Sequence, residues 1–532
     1  MGWKEDYERL RKEHSLVIPP EFSFPLDVFD KWGDGLCLFW TDGSTERKFT
    51  FSGMKTLSAK GAGYLRAKGI NPGDWVFVML PAVPEWWEAM LAVMRLGAVP
   101  VPATTLLTSK DIEYRLRAAN IKAVITDEEN AGKIIEAAKN ADKSPLLVTV
   151  DEYIKGRQSA PEFIGTRVPS NSPGIVYFTS GTTGPPKMVL HTQASYPLGH
   201  YITGRYWLDL THRDLHWNLS DTGWAKAAWS SLFGPWHMGA AVFSFYKKGK
   251  FDPLHTLDVL SRYPITTFCG PPTAYRMMLK ESSAKIDSKT LRHFVAAGEP
   301  LNKEIIERWA ENTGHYIYDG YGQTETVNVL ANLKLLPRRP GSMGLPVPGF
   351  DVDVIDEQAM PVSPGVEGDI AIRVEPQRPV GLFKEYFGNS KATGETIKGQ
   401  WYITGDRAVR DGEGFFWFVG RADDVILTSG YRIGPFEIES VLIEHPAVRE
   451  SAVVSSPDEI RGEIVKAFIV LTKEYAPSES LANELQNFVK ARTAPYKYPR
   501  RVEFVLDLPK TISGKIKRKE LKLKEWASKL YL

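Results

Sequence analysis

The sequence predicts an α/β protein with three parts: a large N-terminal body of parallel-rich sheets flanked by helices, a small β-subdomain, and a small α+β C-terminal domain. The first observation behind this prediction is the length of 532 residues, which exceeds what one hydrophobic core ordinarily serves. The second is the alternation of apolar runs with helical patterns, which is typical of βαβ units. The third is a composition of 43% hydrophobic and 24% charged residues, which excludes a disordered or collagen-like chain.

The elements of the large body follow in order along the chain. Helical patterns at residues 60–68 and 85–96 separate strand-like runs at residues 75–80, 123–126 and 146–150. A second block repeats this rhythm, with apolar runs at residues 175–178, 242–246, 266–269 and 294–297. Strands that alternate with helices favour parallel sheets, so we expect both blocks to share one large body.

A change of pattern near residue 337 predicts the β-subdomain. Residues 337–350 are dense in proline and glycine, which punctuate the chain with turns. Short apolar runs then follow at residues 351–355, 368–374 and 414–419. Runs of this length between turns indicate strands.

A second change, past Gly420, predicts the C-terminal domain. The chain there offers a charged turn, a strand, a glycine turn, and a helix that Pro435 opens with Glu437 and Glu439 in its first turn. We therefore predict a large domain of residues 1–422 and a small domain of residues 423–532.

Charge and cysteine content exclude several classes of protein. The 66 basic and 64 acidic residues leave a net charge of +2, so no overall field attracts nucleic acid or an anionic membrane. Cys37 and Cys269 are too few for a disulfide framework or a structural zinc site, and they favour a reducing cytoplasm. We see no targeting signal at the N-terminus and no apolar stretch of the ~20 residues that span a bilayer. We therefore expect a cytoplasmic protein, monomeric or homodimeric.

One loop between two apolar runs has the composition of a phosphate-binding loop. Glycines allow close backbone approach, backbone N–H and hydroxyl groups donate to anionic oxygens, and a lysine adds a point charge. It differs from a Walker A loop, because its lysine follows two prolines and no helix opens directly after it. Its residues are Thr179, Ser180, Gly181, Thr182, Thr183, Gly184, Pro185, Pro186 and Lys187.

Five later motifs accompany this loop. They read AGEPL at 297–301, DGYGQTE at 319–325, WYITGD at 401–406, GRADD at 420–424 and PKTISGKI at 509–516. In this order and spacing they resemble the adenylate-forming superfamily, which comprises acyl-CoA synthetases, adenylation domains and luciferases. The resemblance runs from about residue 25 to the end of the chain. It is greatest to AMP-forming medium-chain acyl-CoA synthetases.

The resemblance implies that the domain of residues 1–422 binds AMP and the acyl group, with a site for ATP and Mg²⁺. Tyr321 is implied to stack on adenine, Thr324 to contact phosphate, and Asp406 to accept from both ribose hydroxyls. Glu325 is implied to hold Mg²⁺, a hard cation suited to oxygen ligands. Lys515, Thr182 and Glu325 are the implied catalytic residues. The other implied nucleotide contacts, beyond the loop itself, are Gly298, Glu299, Pro300, Asp319, Gly320, Gly322, Gln323, Arg421 and Arg432.

The resemblance also implies that coenzyme A is the second substrate and that the small domain rotates between two half-reactions. Asp423 is implied to be the hinge. The residues Ser429, Gly430 and Tyr431 are implied to line the pantetheine path. Candidates for the nucleotide phosphates of coenzyme A are Arg461, Lys497 and Arg500, for which ordinary surface charge is nearly as good an interpretation.

The acyl pocket is predicted from a second group of residues. Acetate-specific relatives carry tryptophan where this chain has Gly322, so we expect the floor of the pocket to be open. Helical spacing places Lys226, Trp229 and Phe233 on one face, with Trp224 just before them. We expect Cys269 to line the cavity and not to act as a nucleophile. Such an aromatic-walled cavity favours a short-to-medium, branched, cyclic or aromatic acid.

These inferences predict an acid–thiol ligase that joins a carboxylic acid to coenzyme A through an acyl-adenylate. The main alternative is a standalone adenylation enzyme that loads a carrier protein, since both use every motif above. An oxygenating luciferase is a further relative, but no residue favours it. A catalytically inactive homologue is disfavoured because Thr182, Glu325, Asp406, Arg421 and Lys515 are all present.

Overall fold

The computed structural model describes residues 2–179, 186–249, 251–281, 286–428, 431–458, 461–494, 497–511 and 515–529, with the backbone alone at 431, 432, 528 and 529. Its helices are Trp3–Glu13, Phe24–Asp27, Phe51–Ala67, Pro84–Arg95, Ser109–Ala118, Glu128–Ala141, Val150–Ser159, Ser195–Ile202, Ala225–Ala228, Gly234–His237, Pro253–Arg262, Pro272–Lys280, Lys303–Thr313, Ser390–Gly394, Pro435–Ile443, Glu479–Arg492 and Arg518–Lys529. A 3₁₀ turn spans Phe29–Lys31, and π-helical turns span Thr203–Trp207 and Trp229–Phe233.

The largest sheet carries two of the motifs at the carboxyl ends of its parallel strands. Its order is Leu345–Pro346, Asn328–Ala331, Ile317–Gly322, His293–Ala297, Thr267–Gly270, Leu215–Asn218, Ala241–Phe245, Leu36–Thr41 and Glu46–Thr50. The pairs from Ile317–Gly322 to Leu36–Thr41 are parallel, and the outer pairs are antiparallel. Ligands of parallel α/β sheets bind beyond the carboxyl ends of the strands, where the motifs at 297–301 and 319–325 lie.

Two smaller sheets complete the large body. One is parallel, with the order Val99–Pro102, Trp75–Met79, Ile121–Thr126 and Leu146–Thr149. The other is antiparallel, with the order Glu385–Tyr386, Lys187–Thr192 and Pro173–Thr179. A short pair joins Glu21–Phe22 to Val168–Pro169. These sheets confirm the α/β class that the sequence predicts.

The β-subdomain that the short apolar runs predict is a sheet whose strand pairs are antiparallel. It comprises Val352–Ile355, Glu367–Arg373, Trp401–Arg410, Ile397–Lys398 and Phe416–Arg421. Asp406 lies inside the strand Trp401–Arg410. The adjoining Gly405 has φ +76°, which only glycine adopts easily, so the strand is locally irregular where the motif occurs.

The C-terminal residues form their own sheet and core. The strands are Tyr431–Ile433, Ile426–Thr428, Gly462–Leu471 and Val448–Asp458, with Arg501–Phe504 parallel to Gly462–Leu471. Its interior is aliphatic and includes Ile426, Ile438 and Leu485. The boundary at 422/423 and the mobility of this part stay predictions. Among the described helices, none has the length and apolar character needed to cross a membrane.

Two helices differ from the sequence prediction. The pattern at 60–68 belongs to the longer helix Phe51–Ala67, which begins early because the Thr50 hydroxyl accepts from Gly53 N and caps it. The pattern around Lys226 is not one regular helix, because Ala225–Ala228 continues as the π-helical turn Trp229–Phe233. The wider turn changes the direction of the side chains, so a spacing of 3.6 residues does not describe this face.

Candidate active site

The two strands beside the phosphate loop bring its ends together. Thr179 of Pro173–Thr179 lies opposite Lys187 of Lys187–Thr192 in an antiparallel pair. The carbonyl of Pro186 accepts from Tyr114 Oη at 3.1 Å, and Lys187 Nζ lies 4.6 Å from the centroid of the Tyr386 ring. Six predicted site residues lie outside the described residues: Ser180, Gly181, Thr182, Thr183, Gly184 and Pro185.

Three motifs meet at the carboxylate of Asp406. Tyr321 Oη and Gln323 Nε2 donate to Asp406 Oδ2 at 2.6 and 2.7 Å. Arg421 approaches Asp406 Oδ1 at 3.3 Å. Burial raises the pKa of Asp406, whereas the charges of Arg421 and Lys515 lower it.

These partners occupy about three of the four or so lone-pair directions of the Asp406 carboxylate. One acceptor direction is therefore left for a ribose hydroxyl. The expected acceptance from both ribose hydroxyls stays a prediction. In the described state, the Asp406 carboxylate holds Tyr321, Gln323 and Arg421 together.

Glu325 lies beside the phosphate loop with its carboxylate held by one hydroxyl. Tyr386 Oη donates to Glu325 Oε1 at 2.8 Å, and Phe383 N donates to the Glu325 carbonyl at 2.7 Å. Burial raises the pKa of Glu325. A desolvated carboxylate that lies near an anionic polyphosphate is stabilised by a cation.

The neighbouring Thr324 is anchored by a neutral histidine. His191 Nε2 lies 2.7 Å from the Thr324 carbonyl oxygen. Burial lowers the pKa of His191 to about 3, so its ring is neutral and Nε2 carries the hydrogen that it donates. The His191 ring stacks on Tyr196 at 3.8 Å between centroids.

Magnesium fits this set of donors. Within the described residues, no group of three or more histidine, cysteine, aspartate or glutamate side chains is placed to hold a metal ion. Mg²⁺ usually keeps several waters and binds through one or two carboxylates together with substrate phosphates. The Glu325 carboxylate beside the phosphate loop provides such an arrangement.

The motif at 297–301 begins at the end of the strand His293–Ala297. Gly298 has φ +101°, so a side chain there would be strained. Thr273 Oγ1 donates to Glu299 Oε2 at 2.8 Å, and Arg276 lies 3.4 Å from the same oxygen. Pro300 follows and is half-buried, whereas Asp319 and Gly320 on the next strand are buried.

Lys226 is tied to this turn. Lys226 Nζ donates to the Ala297 carbonyl at 2.6 Å. Burial, the largest effect, lowers the pKa of Lys226, and the positive charge of Lys515 lowers it further. Cys269 is buried nearby, and burial raises the pKa of its thiol, which keeps it protonated and a poor nucleophile.

The expectation of an open pocket floor at Gly322 is wrong. A Cβ atom at this position would lie 2.5 Å from Trp229 Cη2 and closer still to the Val327 carbonyl oxygen. The Trp229 indole already covers Gly322 and is fixed there by its Nε1 bond to Tyr196 Oη at 3.0 Å. Glycine is needed at 322 because indole and backbone approach so closely. Trp224 lies half-buried at the start of the same helical segment.

Lys515 belongs to a hairpin-like bridge near the end of the chain. Lys510 pairs with Ile516, and Lys515 N donates to Thr511 Oγ1 at 3.0 Å. The side chain is exposed, and its charge acts on Lys226 and Asp406, which lie in different motifs of the large body. The described orientation therefore turns Lys515 toward the nucleotide site.

The candidates for coenzyme A are less well assembled. Ser429 and Gly430 lie outside the described residues, and only the backbone of Tyr431 and Arg432, in the strand Tyr431–Ile433, is described. Lys497 Nζ pairs with Glu437 at 2.6 Å, which weakens its claim on a phosphate. Arg500 donates to Tyr498 Oη at 2.9 Å, and the backbone of Arg461 donates to Asp458. Ordinary surface charge therefore stays an alternative interpretation of Arg461, Lys497 and Arg500.

Both parts of the chain match family models. Residues 28–387 match the AMP-binding enzyme model, and residues 437–515 match the AMP-binding enzyme C-terminal domain. The chain belongs to the AMP-binding enzyme family. It is 48% identical to acyl-coenzyme A synthetase ACSM3, mitochondrial, of Mus musculus over 98% of this chain and 94% of that protein. It is also 48% identical to acyl-coenzyme A synthetase ACSM4, mitochondrial, of Homo sapiens over 98% and 93%.

Solved structures of CoA ligases share the fold of this AMP-binding enzyme. The anthranilate CoA ligase AuaEII in complex with anthranoyl-AMP superposes with a TM-score of 0.88 at 29% identity, covering 97% of this chain and 99% of that one. A benzoate CoA ligase from Burkholderia xenovorans LB400 gives 0.82 at 29% identity, covering 94% and 100%. The motif-based resemblance is confirmed, and this AMP-binding enzyme is an AMP-forming acyl-CoA synthetase that uses ATP and coenzyme A.

The prediction of a cytoplasmic location is wrong. The relatives of this AMP-binding enzyme from mouse, rat and human are named mitochondrial, which points to mitochondria instead. The argument from cysteines fails because two buried, unpaired thiols are compatible with any reducing compartment.

Several residues of the site carry no signal in the sequence. Tyr386 and Tyr402 contact Glu325 and Gln323 through their hydroxyls, and His191 holds the backbone of Thr324. Tyr386 and His191 lie outside the phosphate loop and the five later motifs, whereas Tyr402 lies in the motif at 401–406 but has no role predicted for it. A lone tyrosine or histidine in an apolar run is usually a packing residue, so only its neighbours in space reveal the role.

Proposed function

We propose that this acyl-CoA synthetase activates short-to-medium acids with branched, cyclic or aromatic bodies and is not specific for acetate. The observation that carries the proposal is the position of Trp229, whose indole reaches Gly322 through Cη2 and is hydrogen-bonded to Tyr196. A fixed indole offers a large apolar face with little mobility, which suits a compact body better than a long chain. The neighbours named as anthranilate and benzoate CoA ligases support this proposal.

In the first half-reaction the substrate carboxylate attacks the α-phosphorus of ATP and expels pyrophosphate. Such a displacement is governed by positioning and charge neutralisation. We assign these tasks to Lys515 and to residues 179–187 of the phosphate loop, which end with Lys187. Glu325 would hold Mg²⁺, and the bound ion would neutralise charge on the leaving pyrophosphate.

In the second half-reaction the thiol of coenzyme A attacks the carbonyl carbon of the acyl-adenylate and AMP leaves. A free thiol has a pKa near 8.5, so a thiolate fraction already exists and no strong general base is needed. We propose that the domain of residues 423–532 rotates about Asp423, removes Lys515 and brings residues 429–431 to the pantetheine path. The protein acts as a monomer or homodimer in this proposal.

The hinge proposal predicts a selective defect for Asp423→Pro. In the described orientation Asp424 N donates to the Arg421 carbonyl at 3.1 Å, which makes residue 423 the third of a four-residue turn. Proline there pushes Ala422 out of the helical backbone region and opposes this turn. We expect adenylation to fall about 10²-fold, as misplaced catalytic groups do, while thiolysis of supplied acyl-adenylate is kept.

Single-turnover rates of both half-reactions provide the measurement, and Asp423→Ala, which leaves the backbone free, is the control. Normal adenylation in the proline variant would contradict the hinge assignment.

The substrate proposal is tested with a panel of acids in an assay of AMP release. Acetate, butyrate, 2-methylbutyrate, cyclohexanecarboxylate, benzoate and decanoate are compared with coenzyme A as acceptor. We expect the highest kcat/KM for the branched and ring acids, and a maximum at acetate or decanoate would refute the proposal. A parallel assay with a pantetheinylated carrier protein separates the alternative function, because a carrier-loading enzyme would release AMP without acting on free coenzyme A.

A further inference from the structure

The segment of residues 383–387 links two parts of the active site that are far apart in sequence. Its backbone pairs with the strand Lys187–Thr192, which follows the phosphate loop. Lys384 N donates to the Leu190 carbonyl at 2.7 Å, and Phe387 N donates to the Met188 carbonyl at 2.8 Å. At its other end Phe383 N donates to the Glu325 carbonyl at 2.7 Å. The segment therefore fixes the distance between the loop strand and Glu325.

The side chain of Tyr386 also connects Glu325 with the strand that follows the phosphate loop. Its hydroxyl donates to Glu325 Oε1 at 2.8 Å, and its ring lies 4.6 Å below Lys187 Nζ. A cation at this distance from an aromatic face is attracted by the ring quadrupole. In the part of the chain that the structure describes, no other side chain donates to the Glu325 carboxylate.

Tyr386 is itself held firmly. Its backbone N donates to Thr393 Oγ1 at 3.0 Å, and its carbonyl accepts from Asn389 N at 3.0 Å. The ring packs on Phe383 at 5.0 Å between centroids, and only 7% of the residue is exposed. A side chain fixed on so many sides can transmit its own position to the groups that it contacts.

We propose that Tyr386 is a positioning residue that holds the Glu325 carboxylate and the Lys187 ammonium in one fixed arrangement toward the same polyphosphate. The hydroxyl orients the carboxylate, and the ring supports the ammonium. This proposal rests on the proposed function, which gives Glu325 the metal ion and Lys187 a phosphate. It adds to the apparatus of adenylation a residue from outside the phosphate loop and the five later motifs.

Two substitutions separate the hydroxyl from the ring. Tyr386→Phe removes only the hydroxyl, and we expect the Kd of Mn²⁺, measured by electron paramagnetic resonance in the presence of AMP-PNP, to rise about 10-fold or more, as loss of a residue that orients a metal ligand does. KM for ATP should change little. Tyr386→Leu removes the ring as well and should raise KM for ATP by a further 2- to 5-fold or so, because Lys187 loses its aromatic support.

The matched control is Tyr275→Phe, which removes another buried hydroxyl, the one that donates to the Val295 carbonyl at 2.9 Å. It should leave Mn²⁺ binding and KM for ATP unchanged. Melting curves of all variants show whether a loss arises from unfolding. A rise in the Mn²⁺ Kd in the Tyr275→Phe variant as large as that in Tyr386→Phe would overturn the proposal.

A double-mutant cycle with Glu325→Gln separates this proposal from the assignment on which it rests. If the hydroxyl acts through Glu325, Tyr386→Phe has no further effect on Mn²⁺ binding in the Glu325→Gln background. Additive losses, or normal Mn²⁺ binding by Tyr386→Phe when Glu325→Gln binds poorly, would refute the positioning role. Unchanged Mn²⁺ binding by Glu325→Gln would instead overturn the metal assignment under the proposed function, and the proposal with it.

Discussion

Lys515→Ala is expected to slow adenylation by roughly 10²-fold or more, which is the usual cost of removing one preorganised electrostatic donor. The exposed Lys515 ammonium acts by charge on Asp406 and Lys226, so the described orientation turns it toward the nucleotide site. Its charge matters while pyrophosphate leaves, because that step moves negative charge onto the leaving group. Thiolysis should be largely kept, since the rotated domain has removed Lys515 by then.

The measurement compares pyrophosphate release in a single turnover with thioester formation from supplied acyl-adenylate. Lys517→Ala is the matched control, because Lys517 lies two residues away and pairs with Glu520 at 3.5 Å on the surface of the same domain. This control should leave both rates unchanged. Equal slowing of both half-reactions by Lys515→Ala would refute the assignment of the lysine to adenylation alone.

Gly322→Trp is expected to reduce kcat/KM by about 10²-fold or more for every acid, because it displaces reacting groups as well as the pocket wall. The first atom of any side chain at this position meets the Trp229 ring and the Val327 carbonyl oxygen. Overpacking of this kind typically costs about 1 to 3 kcal/mol, so the Tm should fall by several degrees. A variant that kept its kcat/KM for acetate and lost activity only toward larger acids would contradict this expectation and support an open pocket floor at Gly322.

Gly322→Ala sharpens the test. Alanine adds too little volume to fill a pocket, but it adds the Cβ atom that clashes, so we expect a uniform loss of activity and a lower Tm. The control is Gly132→Ala in the helix Glu128–Ala141, where a Cβ atom meets no heavy atom within 4 Å. That substitution should leave activity unchanged and hold or raise the Tm, since alanine favours helix.

Much of the fold follows from local patterns in the chain. The strand Trp75–Met79 and the helix Pro84–Arg95 lie almost where apolar runs and helical spacing predict them. The antiparallel subdomain follows the proline- and glycine-rich segment as expected. Local patterns succeed here because burial of one face imposes a period on the sequence, whatever the partner of that face is.

The segment after Trp224 shows where the local pattern fails. A period of 3.6 residues places Lys226 and Trp229 on one face, but a π-helical turn begins at Trp229. The same indole then reaches Gly322, about 90 residues further along the chain, and decides that this position must be glycine. No pattern within either segment predicts that contact.

The sequence by itself determined the family, the reaction and the residue types at the nucleotide site, because the motifs carry the chemistry in their own side chains. The tertiary structure alone decided which of them act together. Tyr321 and Gln323 reach Asp406 across 85 and 83 positions, and Tyr386 reaches Glu325 across 61. The physical reason is that a hydrogen bond depends on which strands become neighbours, and that choice is made by the packing of the whole chain.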